Sequence, residues 1–100
     1  MATPLELSTG PAADGIPVVT AVGEIDMSNA DRFRDALGLA APEGGQFVVD
    51  LTGVEYLDSA GVHALFEHVS RIRLIAAPLL MPVLTISGLS GITSVSEPRD

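Results

Sequence analysis

The stretch from Val48 to Val62 constrains the fold of this chain more than any other. It reads Val-Val-Asp-Leu-Thr-Gly-Val-Glu-Tyr-Leu-Asp-Ser-Ala-Gly-Val. Hydrophobic residues dominate up to Leu57 and resume at Val62, which indicates a buried strand that passes through a polar turn into a helix. Asp58 and Ser59 therefore fall where a helix has unpaired backbone N–H groups and a partial positive charge. Extra negative charge is tolerated at such a place.

The chain before this stretch predicts a hairpin and then a helix. The segments Leu5–Ser8 and Pro17–Val22 have strand-like composition and are separated by a turn-forming Asp14-Gly15 pair. Ser28 is predicted to cap a helix over residues 29–40, with an acidic residue three positions later as in a capping box. The apolar positions of this helix recur at spacings of three and four and predict its buried face: Ala30, Phe33, Leu37 and Ala40.

Later segments alternate between strand-like and helical patterns. The apolar run Gln46–Leu51 predicts the middle strand of a sheet covered by helices. The other predicted elements are a helix over residues 60–70, a strand over 71–76, a short helix over 82–86 and a last strand over 92–95. Together these patterns predict one α/β domain over residues 1–100, with a mixed four- to five-stranded sheet and helices packed against it.

Composition excludes several classes of function. With 47% apolar residues, a chain of 100 residues can bury one core, and the absence of cysteine excludes disulfides and thiol chemistry. Thirteen acidic and five basic residues give a net charge of -8, which disfavours nucleic acid and anionic membranes and attracts a basic partner. The start of the chain lacks a secretory signal pattern and no apolar run is long enough to span a bilayer, so we expect a soluble, cytoplasmic protein.

Ser59 admits three interpretations. The simplest is that Ser59 or Asp58 caps the following helix, which stabilises it by about 1 kcal/mol. A second is a serine nucleophile, because residues 57–61 loosely resemble the G-x-S-x-G elbow of hydrolases. A leucine replaces the first glycine, however, and both histidines, His63 and His68, lie on the helix after Ser59 rather than in a distant segment. The third is a phosphoacceptor, which needs only an exposed hydroxyl beside a helix N-terminus.

Several carboxylates could serve other chemistry. Asp50, at the end of an apolar run, occupies a position where a receiver domain would carry its phosphorylated aspartate, but the chain has no lysine to complete that site. Asp50 is therefore interpreted as a strand-end residue that forms backbone hydrogen bonds. Glu24, Asp26 and Asp58 could gather at one edge, although carboxylates near helix starts are common for electrostatic reasons. We expect no metal site, no cofactor and no catalytic residue.

Four segments, in this order and at these spacings, resemble a STAS domain of the anti-sigma-factor antagonist type: Gly23–Asp26, Ala30–Leu37, Val48–Val54 and Leu57–Val62. The best-matched part of the chain is 23–69. The resemblance implies a cytoplasmic bacterial regulator whose unphosphorylated form binds an anti-sigma factor of the serine-kinase type and so releases a sigma factor. Phosphorylation by that kinase switches binding off, and a phosphatase restores it.

Carried onto this sequence, the resemblance implies that Ser59 is the phosphoacceptor and Asp58 its flanking acid. Asp26 and Ser28 match a loop that helps to form the kinase-binding surface. The full set of residues expected to contact the partner is Asp26, Ser28, Asp58, Ser59, Ala60, Gly61 and Val62. The domain would bind rather than catalyse, and the partner would supply nucleotide and magnesium. The alternative is a STAS module that senses a small molecule or nucleotide within a larger regulatory assembly.

The sequence also departs from the family pattern. Ala60 stands where many relatives have a second hydroxyl residue, the connection before Arg71 is short, and the final amphipathic helix is missing after residues 95–97. Without a covering helix, three neighbouring residues would form an apolar patch suited to a weak homodimer or a partner: Leu79, Leu80 and Met81.

Overall fold

The computed structural model describes residues 3–11, 15–41, 45–92 and 94–96. Within these ranges, five strands form one sheet in the order β1-β2-β3-β4-β5. The strands are β1 (Glu6–Pro11), β2 (Pro17–Ile25), β3 (Phe47–Leu57), β4 (Ile72–Ala76) and β5 (Ser94–Ser96). The first pair is antiparallel and the later pairs are parallel. The predicted opening hairpin, mixed sheet and central position of β3 are therefore confirmed.

Helical segments connect the parallel strands. They are α1 (Ala30–Ala40), α2 (Ser59–Phe66), a 3-10 turn (Pro78–Leu80), α3 (Met81–Ile86) and α4 (Leu89–Ile92). The predicted buried face of α1 is confirmed, since Phe33 and Leu37 have no exposed surface and Ala30 is almost fully buried. Ala40 is only partly buried.

The hydrophobic core lies on one face of the sheet. Alternate residues of the three inner strands are buried: Val19, Ala21 and Ile25 on β2, Phe47, Val49 and Leu51 on β3, and Ile72, Leu74 and Ala76 on β4. They form a single cluster with buried side chains of the helices, among them Phe33, Leu65 and Leu84. The intervening strand residues, such as Val48 and Arg73, point to the other face and are partly or fully exposed. The fold is thus a helical layer on one side of a sheet.

β3 is longer than the sequence predicted. Its predicted end near Leu51 is wrong, because parallel pairing with β2 continues to the pair Ile25 and Leu57. Two register shifts in this pairing let the strand bend through its polar residues without leaving the sheet. Asp50 is therefore a mid-strand residue, and its Oδ1 accepts hydrogen bonds from Thr52 N at 2.9 Å and Thr52 Oγ1 at 2.7 Å.

The predicted limits of two helices also need correction. Ser28 is not the N-cap of α1, which begins at Ala30 with Asn29 before it. Helix α2 starts at Ser59 and ends at Phe66 instead of continuing to residue 70. The chain then makes tight turns, in which the N–H of Arg71 donates to His68 O at 2.9 Å, and enters β4 directly. These turns explain how so short a connection reaches the next strand.

The C-terminal part differs from the predicted apolar patch. Leu80 is only 3% exposed because the 3-10 turn directs it into the core, and Met81 is half-buried, so of the three residues only Leu79 is exposed, at 66%. The last strand begins at Ser94, and Ile92 belongs to a helical turn. The predicted turn residue Asp14 and the residues from 97 onwards, where the family's final helix was expected to be missing, lie outside the described residues.

Candidate functional site

The carboxyl ends of β2 and β3 bring two loops together. The strands are parallel, so both ends lie at one edge of the sheet, and Ile25 is the register partner of Leu57. The link extends one residue further, since the N–H of Asp58 donates to the carbonyl of Ile25 at 3.1 Å. The loop that starts at Asp26 and the turn that starts at Asp58 are therefore neighbours.

Asp58 caps helix α2. Its backbone is extended, and its Oδ1 accepts hydrogen bonds from Ala60 N at 2.9 Å and Gly61 N at 3.3 Å. Its carbonyl also accepts the first intrahelical bond, from Val62 N at 3.0 Å. Two of the N–H groups that a helix start leaves unpaired are thus satisfied by this one carboxylate.

Ser59 is the first residue of α2 and is exposed. Among the residues that the structure describes, its hydroxyl has no hydrogen-bond partner. The capping interpretation therefore applies to Asp58 and not to Ser59. The exposed His63 gives Ser59 no hydrogen bond, and the ring of the half-buried His68 contacts Phe47 edge to face, with ring centroids 5.9 Å apart.

Gly61 allows the start of α2 to pack closely against the ends of β2 and β3. It is buried, and a Cβ at this position would lie 2.5 Å from Leu57 Cδ1 and 2.7 Å from Ile25 Cγ2. Only a glycine permits so close an approach without displacing these buried side chains. Among the residues expected to contact a partner, Gly61 therefore acts through its backbone position, whereas the others present surface: Ser28 and Ser59 are exposed, and Asp26, Asp58, Ala60 and Val62 are partly buried.

Replacement of Gly61 by alanine should destabilise the domain. Overpacking of a core typically costs about 1–3 kcal/mol, more than the roughly 1 kcal/mol that alanine gains over glycine in a helix. Gly38, on the exposed face of α1, is the matched control, because a Cβ there meets nothing within 4 Å. Urea denaturation should show a lower midpoint for Gly61→Ala and a higher one for Gly38→Ala. A stabilised Gly61→Ala protein would contradict the close packing of Gly61 against Leu57 and Ile25.

The loop beside Ser59 is closed by a hydrogen-bonded turn. Asp26 Oδ1 accepts from Ser28 N at 2.9 Å and from the Ser28 hydroxyl. The side-chain amide of Asn29 forms two further hydrogen bonds to the preceding backbone. Its Oδ1 accepts from Asp26 N at 3.0 Å, and its Nδ2 donates to Glu24 O at 2.9 Å. This role of Asn29 was not predicted from the sequence. The sequence does contain a signal for it: Asn29 directly precedes the first apolar position of α1, and asparagine is as good an N-cap residue as the predicted Ser28.

Carboxylates dominate the electrostatics of this edge. The hydrogen bond from the Ser28 hydroxyl, with that from the Ser28 N–H, holds the pKa of the Asp26 carboxyl below its usual value. Glu24 and Glu55 accept hydrogen bonds from Thr3, from its N–H at 3.2 Å and its hydroxyl at 2.8 Å. Within the described ranges, no three histidine or carboxylate side chains are placed to hold a metal ion. The edge is thus an acidic surface around a free hydroxyl.

Ser28→Ala should raise the pKa of Asp26 towards the usual value, because the largest stabilising hydrogen bond to the carboxylate is lost. NMR titration of the Asp26 carboxyl carbon measures this change directly. Because the pKa of Asp26 is lower in the folded state, its carboxylate stabilises the fold. This stabilisation is complete above the unfolded-state pKa of about 3.9 and is lost as the pH falls through the lowered folded-state pKa. The acid side of the stability profile should therefore become less steep in Ser28→Ala. An Asp26 pKa that does not change would show that the turn is not held in this way.

A separate groove lies on the sheet face away from the helices. It has a volume of about 420 Å³ and is lined by Val48, Arg73, Ile75 and Ser96. Val48 and Leu57 lie near opposite ends of β3, so the groove is roughly 30 Å along the strand from the Ser59 turn at about 3.3 Å per residue. The groove and the turn are therefore independent features of the surface.

Comparison with known proteins identifies the family. The model of the STAS domain matches residues 11–85, so the chain belongs to the STAS domain family. A sequence search of the curated proteins finds no match. No helix in the described ranges is both long enough and apolar enough to cross a membrane.

Solved structures share the fold. An anti-sigma factor antagonist from Mycobacterium paratuberculosis is 24% identical with a TM-score of 0.84, over 96% of this chain and 90% of that one. The anti-sigma factor antagonist SpoIIAA in its unphosphorylated form is 15% identical with a TM-score of 0.73, over 95% and 90%. The Bacillus cell fate determinant SpoIIAA in the phosphorylated form is 16% identical with a TM-score of 0.68, over 95% and 93%. These likenesses confirm the STAS fold of a single α/β domain.

Proposed function

We propose that this STAS domain is a cytoplasmic anti-sigma-factor antagonist that works by binding. Its unphosphorylated form binds an anti-sigma factor with serine-kinase activity and thereby releases a sigma factor. The kinase, with its own nucleotide and magnesium, phosphorylates Ser59, and a phosphatase reverses the modification. The observation that carries the proposal is the Ser59 hydroxyl, exposed at the start of α2 and free of hydrogen bonds to the other described residues.

A phosphate on Ser59 leaves the fold intact. Asp58 makes the capping hydrogen bonds, so modification of Ser59 removes none of them. The phosphate adds a charge of about -1.5 to -2 beside the positive end of the helix, which is worth about 0.3–1 kcal/mol per charge, and the neighbouring carboxylates oppose it by a similar amount. The net effect on the free energy of unfolding is small.

The same phosphate changes recognition because it adds charge where carboxylates already lie. The N–H groups of Ala60 and Gly61 at the helix start already bind Asp58, and Asp26 contributes a second carboxylate to this edge. A partner surface fitted to a hydroxyl would have to bury an uncompensated anion, which costs several kcal/mol. A coupling of even about 1–3 kcal/mol lowers affinity roughly 5- to 150-fold.

The comparisons support this proposal. Anti-sigma factor antagonists occur among the similar structures, and SpoIIAA is represented there in both an unphosphorylated and a phosphorylated form. The position of Ser59 at the junction of β3 and α2 provides the hydroxyl that such a switch on this chain requires.

Incubation with candidate serine-kinase anti-sigma factors and ATP, followed by mass spectrometry, tests the proposal. We expect one added phosphate on the wild type and on Ser70→Ala, a control at another exposed serine, and none on Ser59→Ala. Ser59→Asp should bind the kinase more weakly than the wild type. Phosphate elsewhere on the chain, or unchanged affinity in Ser59→Asp, would contradict the switch.

The groove favours one alternative, a STAS module that senses a small molecule or nucleotide within a larger assembly. Arg73, one of its lining residues, makes no ion pair with another described residue. Titration calorimetry with nucleotides in the absence of any kinase would support this alternative if binding were detected and were lost in Arg73→Gln.

A further inference from the structure

A large apolar side chain projects from the loop beside Ser59. Met27 is 83% exposed and is surrounded in the loop by polar residues. Other large hydrophobic side chains in the described ranges are also exposed, including Leu39 at 89% and Ile86 at 86%. Exposure alone therefore does not distinguish Met27. What distinguishes it is that its loop lies beside the Ser59 turn and that hydrogen bonds fix the backbone of this loop.

The backbone under Met27 is fixed on both sides. Asn29 N and Ala30 N both donate to Asp26 O, at 3.2 Å and 2.9 Å, which closes the turn across Met27. The side chains of Asp26 and Asn29 add the further bonds described above. A side chain held on a preorganised turn loses little conformational entropy on binding, which favours its use as an anchor.

The loop that carries Met27 lies next to the Ser59 turn. The carbonyl of Ile25, two residues before Met27, accepts the hydrogen bond from Asp58 N, and Ser59 follows directly. A partner that reaches the Ser59 hydroxyl therefore also meets the loop that carries Met27. Methionine suits such a contact, because its flexible, polarizable side chain fills irregular apolar pockets.

The charges around Met27 define the partner's chemistry. Asp26 directly precedes it, and Asp58 is hydrogen-bonded to Ile25 at the start of the same loop. The arginines of α1 are engaged elsewhere: Arg32 donates to Leu5 O, and Arg34 pairs with Asp31 and Glu67 at 2.8 Å each. A second copy of this chain would place carboxylates against carboxylates at this surface. A complementary surface must instead carry cationic side chains.

We infer that Met27 is the apolar anchor of the surface that binds the anti-sigma factor, and that the partner receives it in an apolar pocket bordered by arginine or lysine side chains. The inference rests on the proposed function, since it assigns the contact chemistry of the same partner. Met27 thus contributes to affinity in the unphosphorylated state, independently of the phosphate on Ser59.

Titration calorimetry tests the anchor, with the full chain, the same candidate serine-kinase anti-sigma factors and no ATP. We expect Met27→Ala to weaken binding by roughly 10- to 100-fold, as truncation of an anchor residue does, and Met27→Leu to retain most of the affinity. Leu39→Ala is the matched control, because Leu39 is equally exposed but lies about 14 Å along α1 from its first residue. It should bind like the wild type. Raising the salt concentration should weaken wild-type binding, since the cationic border is screened.

The outcomes separate the anchor from the switch. If a candidate phosphorylates Ser59 but binds Met27→Ala as tightly as the wild type, the anchor is wrong and the proposed function stands. If a candidate binds, loses affinity in Met27→Ala and does not phosphorylate Ser59, the anchor stands and the switch is wrong. Equal losses in Met27→Ala and Leu39→Ala, or binding that is insensitive to salt, would overturn the anchor or its cationic border. If no candidate binds the wild type, both proposals fail.

Discussion

The parallel pairing of β2 with β3 is the constraint on which the rest of the structure depends. It continues to Ile25 and Leu57 and then to the hydrogen bond between Asp58 N and Ile25 O. Gly61 rests on the side chains of the same strand ends, so the start of α2 cannot rise from the sheet without losing core contacts. One strand pair therefore positions a loop, a helix start and the hydroxyl between them.

The turn after β3 divides two tasks between adjacent residues. Asp58 satisfies two N–H groups of the helix start, and Ser59 offers a hydroxyl that forms no hydrogen bond with another described residue. This division allows the proposed phosphorylation of Ser59 and a stable helix to share one turn. Two N–H groups of the helix start are occupied by Asp58, so under the proposed function a phosphate would act on the partner, which would also meet the preorganised loop that carries Met27.

Hydrophobic patterns that extend over whole helices and strands predicted the fold well. The buried face of α1 followed from the spacing of apolar residues, because burial on one face fixes that spacing. The opening hairpin followed from strand-like composition around a turn signal, and the central strand from a continuous apolar run. The resemblance of four segments to a STAS domain is confirmed by the family match. The positions of Asp58 and Ser59 at a helix start were also predicted, since the interruption of hydrophobic density between Leu57 and Val62 marks the turn.

Features decided by tertiary contacts were not predictable in the same way. The polar second half of β3 stays in the sheet because β2 supplies a parallel partner, which no local pattern reveals. Asn29 displaces Ser28 at the start of α1 because it can bond to both Asp26 and Glu24 across the turn. Leu80 is buried because a 3-10 turn directs it inwards, although its neighbours suggested an exposed patch.

Equilibrium unfolding of two single variants tests the division between Asp58 and Ser59 most directly. Asp58→Ala removes the N-cap and should lower the free energy of unfolding by about 1 kcal/mol, the usual value for such a cap. Ser59→Ala removes a hydroxyl without a hydrogen-bond partner in the described part of the chain and should change the free energy of unfolding by no more than about 0.5 kcal/mol. A large loss in Ser59→Ala with little in Asp58→Ala would show that the serine holds the helix, and would contradict the account.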